Sequence, residues 1–216
     1  MRDLTINGFR TARGRVLRGQ IARLAQHLGR PITVLDVGGR PDYWANVGVE
    51  NIAEIRLLNN DPEEFARPSS SNLFVPELGD ARCLSGYGDN SVDLVHANSV
   101  IEHVGQWPDI CDVAREALRV GRSGWIQTPA WEFPIEPHYR LPFLHWFAAP
   151  VRRRLLFASR DYRALNTRDR RFHVDRINLM SYAEFKSLFP EAEIVVERVL
   201  IAKSYVARWQ PPSLGL

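Results

Sequence analysis

The sequence predicts an α/β protein: a mostly parallel β-sheet covered by helices on both faces and closed by an antiparallel ending. Three observations lead there. Val34-Leu35-Asp36-Val37-Gly38-Gly39-Arg40 reads as a buried parallel strand running straight into paired glycines. Up to Pro129, extended apolar runs alternate with helical ones. The last two extended runs lie close enough to pair as an antiparallel hairpin.

The elements follow in order. From Thr11 to Leu28, Val16, Leu17, Ile21, Leu24, Ala25 and Leu28 recur at three- and four-residue spacing and mark an amphipathic helix, which Gly29 and Pro31 stop. Ile32–Val37 is the first strand. A loop through Pro41, Asp42, Tyr43 and Trp44 leads to a second strand, Ile52–Leu58, ending in Asn59-Asn60-Asp61-Pro62. A loop with Pro68 and three serines precedes a short third strand at Leu73–Val75, which ends near Gly79-Asp80-Ala81. Val92–Ala97 is the fourth strand and Asp109–Val120 a helix, with Gly121 as its stop. Gly124–Thr128 is the fifth strand, cut off by Pro129. The alternation then breaks down until a short helix carrying Tyr182, Phe185, Leu188 and Phe189, followed by strands at Ala192–Val196 and Leu200–Ala207.

A chain of 216 residues, 45% of them apolar, suits one domain with a full core. We expect a single domain over 1–216 with an insertion at 129–178, on the substrate side. The two cysteines cannot build a disulfide framework, and no stretch resembles a secretion signal or a transmembrane run, so a cytoplasmic protein is expected. The net charge of +3 is unevenly laid out. Arginines crowd Met1–Arg30 and Val151–Arg176, either as solvated helix faces or as a basic face toward a membrane surface or a phosphate. In the second cluster, Pro150–Phe157 sets three arginines against apolar residues, a pattern that suits peripheral contact with an anionic membrane. Nucleic acid is not expected, because the basic residues are spread out and the total charge is small. No closely spaced His, Cys and carboxylate set suggests a metal.

The glycines after the first strand let a backbone approach a ligand closely, and crevices at strand C-termini are where nucleotide-like cofactors bind. The GxGxxG spacing that seats a pyrophosphate is absent, which argues against a dinucleotide. With Val34–Gly39, Gly79-Asp80-Ala81, Val92–Val95 and Val100-Ile101-Glu102-His103-Val104 in this order, the sequence resembles the class I S-adenosylmethionine-dependent methyltransferases. Its Trp131–Trp146 segment resembles that of bacterial type 11-like members carrying a Pro-Ile-Glu-Pro-His run. The resemblance implies a Rossmann-like fold, a seven-stranded sheet with its last strand antiparallel, and S-adenosylmethionine as cofactor.

Carried over residue by residue, Asp36, Gly38 and Gly39 would line the methionine end of the cofactor, with Arg40 near its carboxylate. Asp80 would accept from the adenine amino group, Ala81 would lie beside the ring, and Asn98 would face the cofactor across the cleft. Two departures stand out. Arg40-Pro41 follows Gly39 where the family spaces a third glycine. Asn59 stands where members commonly place an acid that grips the ribose hydroxyls, so either Asn59 or Asp61 serves there. The resemblance also makes Trp131–Trp146, rich in aromatics, proline and histidine, a lid over the cleft, with Trp131, Tyr139 and His145 as substrate residues. A hydroxyl acceptor needs a base. His138 and His103 are the candidates, with His145 and Glu132 behind them. The function this implies is methyl transfer to a hydroxyl or amine of a small-molecule, glycan or lipid-linked acceptor. The alternative is a methyltransferase-like module that has lost turnover and serves in binding or assembly.

Overall fold

A computed structural model describes residues 4–65, 71–135, 141–158 and 162–214. Seven strands form one sheet: β1 (Ile32–Val37), β2 (Ile52–Asn59), β3 (Phe74–Leu78), β4 (Val92–Asn98), β5 (Gly121–Pro129), β6 (Glu193–Val199) and β7 (Ile201–Trp209). Their order is β3-β2-β1-β4-β5-β7-β6. The first five strands pair in parallel, and β7 runs antiparallel to both β5 and β6. The chain lays β2 and β3 outward on one side of β1, then returns to place β4 on the other. The crevice of such a sheet opens at this reversal, outside the C-terminal ends of β1 and β4.

Successive strand residues point to opposite faces, so the neighbours Val34 and Leu35 feed two different cores. On one face, Leu17, Ile21 and Leu24 of α1 (Leu4–Leu28) pack with Val34, Ile55, Leu94 and Trp125. Trp44 and Val47 of α2 (Pro41–Val47) join them. On the other, Ile110, Val113 and Ala117 of α3 (Trp107–Val120) meet Leu35, Val95, Phe185, Phe189 and Tyr205. Phe185 belongs to α6 (Tyr182–Leu188). Between β5 and α6, α4 (Ala149–Leu155) and α5 (Thr167–Asp175) gather a small cluster of their own around Leu144, Leu156, Val174 and Ile177.

The boundaries differ from the sequence expectation where tertiary contacts extend an element. α1 begins seven residues before Thr11, and its early turns lean on the β6–β7 hairpin, with Lys203 Nζ 4.2 Å from the centre of the Phe9 ring. The expected loop after β1 contains α2, with Pro41 at its first position, where a missing N–H costs nothing. The third strand extends to Leu78 because it pairs along β2. β5 starts directly at Gly121, so that glycine joins helix to strand in an extended conformation and does not form a left-handed cap. α3 starts earlier than Asp109, because Gln106 and Asp109 form a capping box. The final hairpin turns on Leu200 alone, at φ 66°.

Candidate active site

Two hollows meet at the C-terminal edge of the sheet. The larger encloses about 690 Å³ and lies over the ends of β1, β2, β3 and β4, with Phe172, Asp175 and Arg176 on and just after α5 contributing to its lining. The smaller encloses about 460 Å³ under the early turns of α1, with Arg10, Arg13, Tyr43, His96 and Asn98 in its lining. Gly38, Arg40, Ser99 and Val100 line both and form the shared wall.

At the two glycines of the turn after β1 there is no room for a side chain. Gly38 sits at φ 64°, and a Cβ there would come within 2.6 Å of a Val100 methyl. Its N–H donates to the Leu58 carbonyl at 2.8 Å, which ties the turn to β2. A Cβ on Gly39 would fall 2.0 Å from Asp36 Oδ2, because the Asp36 side chain folds back beneath the turn. There the buried carboxylate accepts from Trp44 Nε1 at 2.7 Å and lies 2.6 Å from His96 Nδ1. The Tyr43 ring packs against His96 at 4.8 Å, and its own burial raises the phenol far above its ordinary pKa. His96 Nε2 is buried without a hydrogen-bond partner among the described residues.

Asn59 clasps the same turn from the other side, donating from Nδ2 to the Gly39 carbonyl at 3.0 Å. A carboxylate could not make that bond, having no proton to give, which accounts for an amide at the end of β2. Asp61 accepts from the Glu63 amide at 2.9 Å, and Arg40 reaches Glu64 at 2.6 Å. Asp80 and Ala81 line the larger hollow. The Asp80 carboxylate receives the Arg82 guanidinium, whose other arm binds Asp109 at 2.7 Å, and Arg82 holds Asp80 below the usual carboxylate range.

Asn98 does line the smaller hollow, where its Oδ1 accepts from Arg13 at 2.7 Å. Arg13 also grips Glu197 with a two-pronged contact of 3.0 and 2.6 Å, fastening α1 to β6. The sequence reading missed Arg13, Glu197, Tyr43 and His96. No local signal pairs Arg13 with a residue 184 positions away, and His96 sits inside a strand pattern that reads as core.

His103 ends a short 3₁₀ turn after β4 and lines the larger hollow. Behind it, the fully buried Glu102 accepts from Thr128 Oγ1 at 3.0 Å. His138 and Tyr139 lie outside the described residues. Trp131 and His145 line neither hollow. The Trp131 carbonyl accepts from Trp146 Nε1 at 2.9 Å and lies 2.9 Å from His145 Nε2, making a separate aromatic cluster. Glu132 accepts from the Tyr182 amide and the Tyr205 hydroxyl. Thus the structure gathers Asp36, Gly38, Gly39, Asn59, Asp80, Ala81, Asn98 and His103 around one crevice and sets Trp131 and His145 apart from it.

The methyltransferase domain family matches residues 9–197. An uncharacterized methyltransferase of Mycolicibacterium gilvum is 33% identical over 114 residues, covering 50% of this chain and 42% of that protein. One from Mycobacterium avium is 29% identical over 109 residues, covering 49% and 41%. The chain therefore spans less than half the length of these relatives in the match. Among solved structures, the N-methyltransferase NodS of Bradyrhizobium japonicum, in complex with S-adenosyl-L-homocysteine, aligns at a TM-score of 0.52 and 13% identity, covering 90% of this chain and 85% of that one. An O-methyltransferase family protein of Burkholderia thailandensis aligns at 0.53 and 12%, covering 95% and 60%. These likenesses concern the fold.

S-adenosylmethionine is the cofactor of class I methyltransferases, and the crevice fits it in three respects. Gly38 and Gly39 line the crevice with bare backbone at a turn where Val100 and Asp36 leave no space for a Cβ, the hollows fall in the size range of small-molecule sites, and His96 Nε2 is an orphaned polar atom beside a polar hollow. With its domain pattern matched over most of its length and a seven-stranded sheet of this order, the chain belongs to the methyltransferase domain family, in its class I form.

Proposed function

We propose that the domain transfers a methyl group from S-adenosylmethionine to a hydroxyl or amine of a small-molecule, glycan or lipid-linked acceptor. The observation that carries this reading is the Gly38–Gly39 turn, held at the switch point of the sheet between the two hollows. Gly38, Gly39, Asn98 and Arg10 are the residues to hold the amino-acid end of the cofactor. Asp80, Ala81, Asn59 and Asp61 are those for the nucleoside. When bound, the cofactor supplies an electrophilic methyl group on a sulfonium centre. The chain's part is to align the acceptor in line with that group at about 3 Å and to exclude water. His103, in the lining of the larger hollow, is the base for a hydroxyl acceptor, with His138 as a second candidate. Residues 129–178 serve as the substrate-side insertion of a single domain, with Trp131, Tyr139 and His145 contributing to it.

One observation favours the second reading, a module without turnover: the Asn59 amide is engaged by Gly39, and the Asp80 carboxylate by Arg82. Calorimetry with S-adenosylmethionine and S-adenosylhomocysteine separates binding from its absence. Saturable binding is expected, and no binding of either at millimolar concentration refutes the proposal. In a methyl-transfer assay, His103→Ala should lower turnover while leaving S-adenosylhomocysteine affinity intact. Unchanged turnover removes His103 from the mechanism.

A further inference from the structure

Sixteen large apolar side chains are exposed among the described residues, and eight of them fall between Trp131 and Phe157. They are organised. Phe143 and Trp131 flank Trp146, with ring centres 5.0 and 6.0 Å from it. Phe147 is exposed just before α4, and Val151 and Leu155, four residues apart within it, share one exposed helix face. Ordinary helices turn such a stripe inward. Here the inward side is already supplied by Leu144, Leu156, Val174 and Ile177, all buried, and the stripe is left facing out.

The rim of this apolar face is cationic. Arg152, Arg153 and Arg154 occupy the last turn of α4. Arg153, Arg154 and Arg170, with Phe157, Thr167 and Pro150, line a hollow of about 300 Å³ that contains no acidic residue. Arg153 spends one arm on Asp175 at 2.6 Å, while its Nε has no hydrogen-bond partner among the described residues. Forked guanidinium donors around a small hollow, with an aromatic edge beside them, match a phosphate headgroup with its apolar tail alongside. Tryptophan, phenylalanine and arginine are the residues that settle at a membrane interface, the rings at headgroup level and the cations on anionic lipid.

We propose that the face formed by residues 143–157 and the start of α5 docks on an anionic phospholipid membrane, with a lipid phosphate seated between Arg153, Arg154 and Arg170. The consequence for the crevice is direct. The Asp175 that Arg153 binds lies in the lining of the larger hollow, as do Phe172 and Arg176. The docking face and the wall of the crevice are therefore two sides of the same helix pair. Resting on the proposed methyl transfer, this narrows the acceptor to one embedded in or attached to lipid. The docking itself stands without it.

Co-sedimentation with vesicles of phosphatidylcholine alone and of equimolar phosphatidylcholine and phosphatidylglycerol tests the proposal, with no methyl donor present, so its outcome is independent of cofactor binding. Binding to the anionic vesicles alone, weakening as salt is raised, is expected. Arg154→Ala should reduce partitioning by about fivefold, and Phe157→Ala by about tenfold. Both side chains are exposed, so the fold should be unaffected; unchanged S-adenosylhomocysteine binding or circular dichroism verifies this. Absence of binding to the anionic vesicles, equal binding to neutral ones, or indifference to both substitutions overturns the proposal. So does a dimer in sedimentation that Phe157→Ala dissolves, which would make this face a contact between copies.

Discussion

Replacing Gly39 by alanine tests whether the glycine turn rests on the Asp36 carboxylate. The new methyl would stand 2.0 Å from Asp36 Oδ2, 2.1 Å from its carboxyl carbon and 2.7 Å from its Cβ, so the side chain must leave its place. Its departure strips an acceptor from Trp44 Nε1 and from His96 Nδ1, both on fully buried side chains. Each donor left without a partner costs about 1–3 kcal/mol, giving about 2–6 kcal/mol for Gly39→Ala. This is a large fraction of the roughly 5–15 kcal/mol that holds a typical domain. Asp36→Ala removes the carboxylate first. Only a Cβ at 2.7 Å then opposes the new methyl, and the second substitution should add about 1 kcal/mol of overpacking. Urea unfolding of the four proteins in this double-mutant cycle reads the coupling directly. Full additivity, or a single Gly39→Ala variant within about 0.5 kcal/mol of the parent, refutes the placement of Asp36 beneath the turn.

Three further outcomes follow from neighbouring contacts. Gly38→Ala combines a left-handed backbone with a methyl contact at 2.6 Å, so unfolding should show a loss of about 2–4 kcal/mol, part of which Val100→Ala restores. Asn59→Asp puts a second acceptor opposite the Gly39 carbonyl, so S-adenosylhomocysteine affinity measured by calorimetry should fall; a rise would show that the position serves a ribose and not the turn. Asp93 is raised by burial, but the Arg30 guanidinium and the Thr33 amide and hydroxyl more than offset this, leaving it below the usual carboxylate range. Its contribution to stability is therefore complete above the unfolded value of about 3.9 and is lost as pH falls through the folded value. Asp93→Asn should lower stability near neutrality, with the deficit shrinking below about pH 4 in acid unfolding curves.

The strands were the most legible elements, because a strand buried on both faces is written as a continuous apolar run. Ile32–Val37 and Val92–Ala97 appear in the sequence almost at their observed limits. The paired glycines likewise announced a close backbone approach, and the structure supplies the reason at each: a left-handed turn against Val100 for Gly38 and the Asp36 carboxylate for Gly39. The ends of elements were less legible. α1 gains its first turns, and β3 its last residues, from partners distant in sequence.

Side-chain partnerships were not legible at all. Asp36, Asn59 and Asp80 stand out as polar residues at strand ends, but a residue type does not say where its hydrogen bonds go. Three-dimensional packing gave Asp36 to Trp44 and His96 and Asn59 to the Gly39 carbonyl, while Asp80 is taken by Arg82, two residues along the chain. What the sequence by itself determined is the sheet and the place where it opens, since apolar period and glycine position are local properties of the chain. What only the tertiary structure decided is which atoms face that opening, because Arg13 and Glu197 meet across 184 residues and the apolar stripe of α4 is turned outward by a core its own residues do not reveal.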